Sequence, residues 1–224
     1  MARKVRATGA IVIAAVMLCA CATSVTHRAI QPSGRPPPGG STPAGAAISA
    51  GDLLLRDGDT TPLGRVTAVP VDDSYFVSVR PPECSAALLL KGSPVLPTGK
   101  SVHAESSYRV RGAARYAESV DVYDSALKTH EVISNGFAAV SQCHGEAVGV
   151  APRGESRPMR LSFFGTTDDD VLVWTMTRPD WTCYYGLAVL PRVALMLSAC
   201  DTKPGFPMTD WASKRRAQID RRTA

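Results

Sequence analysis

The stretch Trp181–Asp201, WTCYYGLAVLPRVALMLSACD, reads as two apolar strands, Thr182 to Leu190 and Val193 to Ala199, hinged at Pro191-Arg192. A symmetric hairpin about that hinge pairs Leu190 with Val193 and carries the register outward to Cys183 and Cys200. Leu190 and Val193 form the closing hydrogen-bonded pair, and pair types alternate from there. Cys183 and Cys200 lie seven steps further out, on a non-hydrogen-bonded pair whose Cα atoms stand about 4.5 Å apart. That spacing is near the short end of disulfide geometry, so the register itself proposes a disulfide. Pro191 holds φ negative and excludes the primed turns that hairpins prefer. A type I turn or a longer loop is required there.

Both faces of this hairpin are apolar. Ala188, Leu190, Val193, Leu195 and Leu197 point one way, and Tyr185, Leu187, Val189 and Met196 the other, beside the cysteine pair. Strands of that kind are central and covered on both sides. Tyr184, Gly186 and Ser198 mark positions where polarity or space is needed.

At the start of the chain, Arg3, Lys4 and Arg6 precede an apolar run from Ile11 to Leu18, followed by Cys19-Ala20-Cys21. A basic segment, a short apolar segment and small residues make a secretory signal peptide, too short to span a membrane. The ending resembles the bacterial lipobox. That resemblance implies cleavage after residue 20 and lipidation of Cys21, palmitate among the acyl groups, with enough chains for stable anchoring. Residues 21–48, including QPSGRPPPGGSTPAGAA from Gln31 to Ala47, cannot bury enough apolar surface to offset ordering entropy. They read as a tether spanning about 30 Å as a flexible coil. Residues 49–224 remain as one domain with a proper core.

The chain carries 25 basic and 20 acidic residues; without the leader the balance is 22 against 20. Five of those basic residues sit in the last sixteen, Thr209 to Ala224, so the body is nearly neutral. A basic pI of that origin gives no reason to expect nucleic acid. The tail reads as a solvated helix face.

Elsewhere the pattern is mixed. Asp52 to Leu55 starts a short helix, Tyr75 to Val79 alternates as a strand, Cys84 to Leu90 is a short helical piece behind prolines, and Pro94 to Ser107 is loop-like. A strand ends in SVDVY near Val122. A helix capped by Asp124 or Ser125 follows, with Ala126, His130, Ile133, Phe137 and Val140 on its apolar face. It ends at Cys143-His144-Gly145, with Gly145 placed for a left-handed cap. Strands near Met159 to Phe164 and Val171 to Thr177 are parted by the acidic turn Asp168-Asp169-Asp170, and a Thr209-capped helix with Trp211 and Ile219 closes the chain. Hairpin-linked strands with helices at separate points predict an α+β fold with an antiparallel sheet.

With Cys21 lipidated and Cys19 removed, Cys84, Cys143, Cys183 and Cys200 remain, allowing three connectivities. The hairpin register selects Cys183–Cys200 and leaves Cys84–Cys143, tying the early helical piece to the end of the long helix. Both suit an oxidising, exported compartment. No Cys-x-x-Cys pair supports zinc.

Motifs for catalysis are missing. Gly99-Lys100-Ser101 mimics the end of a phosphate loop, but Pro94 stands where that loop needs glycine and Pro97 removes an amide. His103, His130 and His144 with Glu105, Glu131 and Glu146 lack metal-ligand spacing, and His130 falls on the apolar helix face as a core histidine. No nucleophile has a base beside it, so the chain reads as non-enzymatic, with no cofactor and no metal. Trp174, Trp181, Tyr184 and Tyr185 concentrate aromatic surface on adjoining strands, with Arg178 and Asp180 at the loop between them. They are core or the wall of a small-ligand pocket.

The four cysteines, the long helix ending in one of them, Trp174 and the Trp-x-Cys hairpin together resemble the PknH-like extracellular sensor domain. That domain ends certain mycobacterial receptor serine/threonine kinases and occurs in free-standing lipoproteins. The resemblance covers Leu53 to Ile219; Pro191-Arg192 departs from the asparagines usual at the turn. It implies an antiparallel sheet with helices, two disulfides and a ligand cleft. The expected protein is anchored by lipid on the extracytoplasmic face of the cell membrane. It binds a small molecule or envelope ligand at Trp174, Arg178, Trp181 and Tyr185. The alternative is a protein–protein module assisting a membrane complex, and a third reading is an envelope hydrolase.

Overall fold

The structure is a computed structural model and describes residues 49–71, 75–167 and 170–224. The expected signal peptide, lipidation site at Cys21 and tether lie outside the described residues, as do Asp168 and Asp169 of the acidic turn.

The final hairpin forms as its sequence demands. Strand β11 (Trp181–Leu190) returns as β12 (Val193–Asp201), with Leu190 opposite Val193 and Cys183 opposite Cys200. Their Cα atoms are 4.1 Å apart and the sulfurs are bonded. The turn needs no primed geometry, because Asp170 is the only non-glycine with positive φ among the described residues. Its carbonyls are satisfied from outside instead. Tyr123 N donates to Arg192 O and Leu127 N to Pro191 O, while the Arg192 side chain donates back to the carbonyls of Tyr123 and Asp124. The segment ahead of the long helix is thereby held extended beside the turn. That is why α2 (Thr129–Ser141) starts later than its Asp124 or Ser125 cap predicts.

This hairpin lies inside a sheet whose described strands all pair antiparallel. The short strands β1 (Thr60–Thr61) and β2 (Gly64–Arg65) form a separate ribbon. The large sheet adds β3 (Thr67–Val69), β4 (Ser78–Arg80), β5 (Ser101–Arg109) and β6 (Arg115–Tyr123). It also takes β7 (Glu146–Ala151), β8 (Gly154–Glu155), β9 (Met159–Thr167) and β10 (Val171–Arg178). The order across it is β3-β5-β6-β12-β11-β10-β9-β7-β4, with β8 on β7. The remaining helices are α1 (Ser85–Leu88), behind a 3-10 turn at Pro82–Cys84, and α3 (Met208–Thr223).

The two apolar faces of the hairpin are covered as expected. One packs with α1 and α2 around Trp174, Met176, Leu187 and Met196; the other packs with α3 around Leu195, Leu197, Trp211 and Ile219. Glycines admit the helices closely. A Cβ on Gly136 of α2 would stand 3.1 Å from Leu172, and one on Gly186 3.1 Å from Met208 and 3.3 Å from Ala212. Gly186 therefore serves the need for space read from the sequence. A second disulfide, Cys84–Cys143, joins the 3-10 turn to the second residue past α2.

Several expectations are corrected. Pro94 to Ser107 is not all loop: Ser101 onward is β5, whose polar residues reflect an outer edge paired to β3 only from Ser107 to Arg109. The strand expected at Tyr75 begins at Ser78, and Asp52–Leu55 is replaced by a 3-10 turn at Ala50–Leu53. His130 is exposed rather than core, and Phe137 is 38% exposed, because the buried stripe of α2 runs through Val132, Ile133, Gly136 and Val140. Gly145 has no left-handed φ, since the helix ends earlier through Gln142 in ordinary helical conformation. Pro207, not Thr209, precedes α3.

The basic tail departs most. Arg215 is 1% exposed and meets Glu118, itself 0% exposed. Its Nε and Nη2 donate to the Glu118 carboxylate at 3.2 and 3.1 Å, Nη2 also to Leu53 O at 2.8 Å. The same carboxylate accepts from Tyr116 Oη and Leu55 N. Arg216 donates to Val189 O and Arg222 to Asp52 O. The tail is knitted into the domain because its amphipathic face includes one guanidinium with a buried carboxylate waiting for it.

Candidate functional site

Alternation along β11 puts Trp181, Cys183 and Tyr185 on one face of the sheet, the face that carries α1 and α2. Their partners on β10 are Arg178, Met176 and Trp174. Two of these cross-strand pairs bring an aromatic ring against its neighbour. The Trp174 and Tyr185 rings lie 5.4 Å apart and nearly parallel, and the Arg178 guanidinium carbon sits 5.9 Å from the Trp181 ring centre. On the other side, β12 places Ser198 and Cys200 opposite Tyr185 and Cys183, and β6 places Ala117 and Arg115 opposite those. Four adjacent strand ends thus make a continuous floor.

A roof closes over this floor. Leu88 and Leu90, at and after the end of α1, and Met159 at the start of β9 come down on it, with Tyr75 and Phe76 from the segment before β4. Tyr75 Oη donates to Ser106 O at 3.0 Å, and Val77 N to Val150 O at 2.7 Å. Phe76 lies flat on Gly149, where a Cβ would collide with its ring. Floor and roof bound a partly open cavity of about 170 Å³ beside the Cys183–Cys200 disulfide. A second depression of about 440 Å³ shares Tyr75 and Phe76 and is edged by Lys91 and Glu105.

Of the four residues singled out from the sequence, Arg178, Trp181 and Tyr185 line the cavity together. Trp174 does not reach it: it is 0% exposed, backs Tyr185, and its Nε1 donates to Ala87 O at 2.9 Å. Asp180 stands outside the lining, its Oδ1 2.9 Å from Arg178 Nε and its Oδ2 accepting from Arg157 Nη1 at 3.0 Å. Among the described residues, two arginines, Arg115 and Arg178, and no carboxylate line the cavity. Burial pushes the Tyr185 phenol well above its ordinary pKa, so its hydroxyl stays neutral. Sequence reasoning missed Tyr75, Phe76, Leu88, Leu90 and Arg115. Only Arg115 had an accessible signal, as the continuation of the cysteine row once β6 is paired with β12.

The histidines sit elsewhere. His103 on β5 holds Asp121 through Nδ1 at 3.1 Å and faces Glu105 through Nε2 at 3.3 Å. His130 and His144 are exposed. Among the described residues no group of three or more His, Cys, Asp or Glu side chains is arranged to hold a metal ion. Among them, too, no helix is long and apolar enough to cross a membrane.

The fold has a solved counterpart. The crystal structure of the extracellular domain of PknH from Mycobacterium tuberculosis matches 77% of this chain and 95% of its own, with a TM-score of 0.62 at 14% identity. At that identity the likeness shows the shared fold, an antiparallel sheet with a few helices. No protein-family model matches the chain. Curated relatives do. The protein named "Putative lipoprotein LprH" in Mycobacterium tuberculosis and in Mycobacterium bovis is 56% identical over 210 residues, covering 94% of this chain and 91% of the relative. At that identity across nearly the whole of both sequences, the chain belongs to the LprH lipoprotein family.

Proposed function

We propose that this protein is a lipid-anchored cell-envelope protein whose disulfide-stapled domain binds a small molecule in the cavity beside Cys183–Cys200. One observation carries the reading. Aromatic and aliphatic walls with a few polar groups are the ordinary make-up of small-ligand sites, and here five strands and α1 contribute side chains to such a space instead of filling it. Anchoring through Cys21 is supported by the Cys19-Ala20-Cys21 ending and by the lipoprotein name of the relatives. Placement on the extracytoplasmic face is supported by the two disulfides, which persist in oxidising compartments. The domain acts by binding, without catalysis, and any signal passes to a separate membrane partner.

A specific observation favours a second reading, the protein–protein module. Strand β9 pairs β7 only through Met159 and Arg160, so among the described residues no strand is paired to its other edge from Leu161 to Thr166. That edge carries no charge, and Phe163 beside it is 56% exposed. Uncharged free edges accept added strands.

Native mass spectrometry of the protein extracted from the envelope separates the two. A small molecule retained by the wild type and lost when Ala117→Phe fills the cavity supports the first reading. A bare mass together with a co-purifying protein supports the second.

A further inference from the structure

We infer that the cavity beside the Cys183–Cys200 disulfide takes an anion with a ring-sized or short aliphatic body, its acid group held by Arg178. This assignment rests on the cavity being the binding site and adds the class of ligand.

Size comes first. A cavity of about 170 Å³ is close to the ~150 Å³ apolar cavity known to hold a benzene ring. A ring fits within it. The inner walls, Leu88, Leu90, Met159 and Tyr185, are each at most 3% exposed and offer an apolar seat.

Charge comes next. Arg178 is ion-paired through Nε, 2.9 Å from Asp180 Oδ1 but not aligned as a hydrogen bond, and among the described residues no hydrogen bond engages its terminal nitrogens. Asp180 is shared with Arg157, so the described residues of this edge carry a net positive charge before Arg115 is counted. The Arg178 guanidinium carbon lies 5.9 Å from the Trp181 ring centre, within reach of a cation–π attraction. Its free end is a two-pronged fork that matches the two oxygens of a carboxylate, or two of a phosphate. An apolar seat with such a fork at its mouth selects amphiphilic anions over neutral rings of the same shape.

The test is a titration of the disulfide-intact domain with benzoate, phenyl phosphate and benzyl alcohol, following the indole N–H signal of Trp181 by NMR. Benzoate or phenyl phosphate should shift that signal, and benzyl alcohol should bind at least about tenfold more weakly, the ratio expected for one charge-assisted pair. Arg178→Met, which keeps the stem over Trp181, should remove the preference. Equal binding of benzoate and benzyl alcohol by the wild type overturns the anionic assignment while leaving the cavity as a site. No shift with any of the three overturns the cavity reading itself. The wild-type comparison decides the matter even where Arg178→Met folds poorly.

Discussion

Arg215 reaches Glu118 across 97 residues of sequence, and neither side chain is exposed to solvent beyond 1%. Burial works against the Arg215 charge, but Glu118 and the phenols of Tyr116 and Tyr108 more than offset it and hold its pKa above the ordinary value. The pair locks α3 to β6 and to the Leu53–Leu55 entry of the domain. Arg215→Met should therefore cost about 3–5 kcal/mol, because it strands a buried carboxylate. The double variant Glu118→Leu/Arg215→Met should recover most of that loss. Guanidinium unfolding of the four proteins in a mutant cycle measures it; a double variant as unstable as the single one contradicts the account.

Gly149 is needed for the roof of the cavity. A side chain there meets the Phe76 ring from below, so Gly149→Ala should cost about 1–3 kcal/mol by overpacking. In a Phe76→Ala background the same substitution should cost far less. Thermal denaturation of the two pairs checks this, and an unchanged penalty without Phe76 would show that the backbone, not the ring, sets the requirement.

The two disulfides should differ in worth. Cys84–Cys143 closes a separation of 59 residues and Cys183–Cys200 one of 17. Loop entropy then assigns about 4 and about 3 kcal/mol respectively. The nine-pair ladder of β11 and β12 also holds Cys183 opposite Cys200 without the bond. Paired Cys→Ala variants at 84 and 143 should thus lower the guanidinium midpoint more than those at 183 and 200.

His103 gives a pH dependence with a definite sign. The hydrogen bond to Asp121 raises its pKa against the opposing effect of burial, and Glu105 adds to the rise. Glu105 also faces Lys91 at 3.4 Å, and Ser101 donates to Asp121 at 3.2 Å. A raised folded pKa means that the contribution is complete below the unfolded imidazole value of about 6.5 and disappears as pH climbs through the folded one. His103→Gln should destabilise the domain most near pH 5–6 and little above pH 8. A penalty growing with pH would reverse the assignment.

Much of this fold is legible in the residues that make it. The hairpin could be read because both faces are apolar and the cysteines leave one register; α2, β9 and β10 followed from ordinary periodicity. β5 and β7 were hidden because each lies toward an edge, where polar and glycine residues imitate loop. Arg215 was misread because a single buried charge within a basic helix is indistinguishable by type from its solvated neighbours. Only its partner, 97 positions away, marks it. At the candidate site, the β10–β11 residues were visible as an aromatic cluster. The roof was not, since Tyr75 and Phe76 are placed by a bare glycine on another strand and by a carbonyl of β5.

The central claim is that ligand enters beside Trp181. With 5-fluorotryptophan incorporated, the described domain gives three fluorine signals, from Trp174, Trp181 and Trp211. Trp174 and Trp211 are buried, with each Nε1 already donated, to Ala87 O and to Tyr116 Oη. Adding a protein-free small-molecule extract of the envelope should move the Trp181 signal, shift Trp174 only slightly through Tyr185, and leave Trp211 in place. No movement of Trp181, or a change confined to Trp211, would contradict the account.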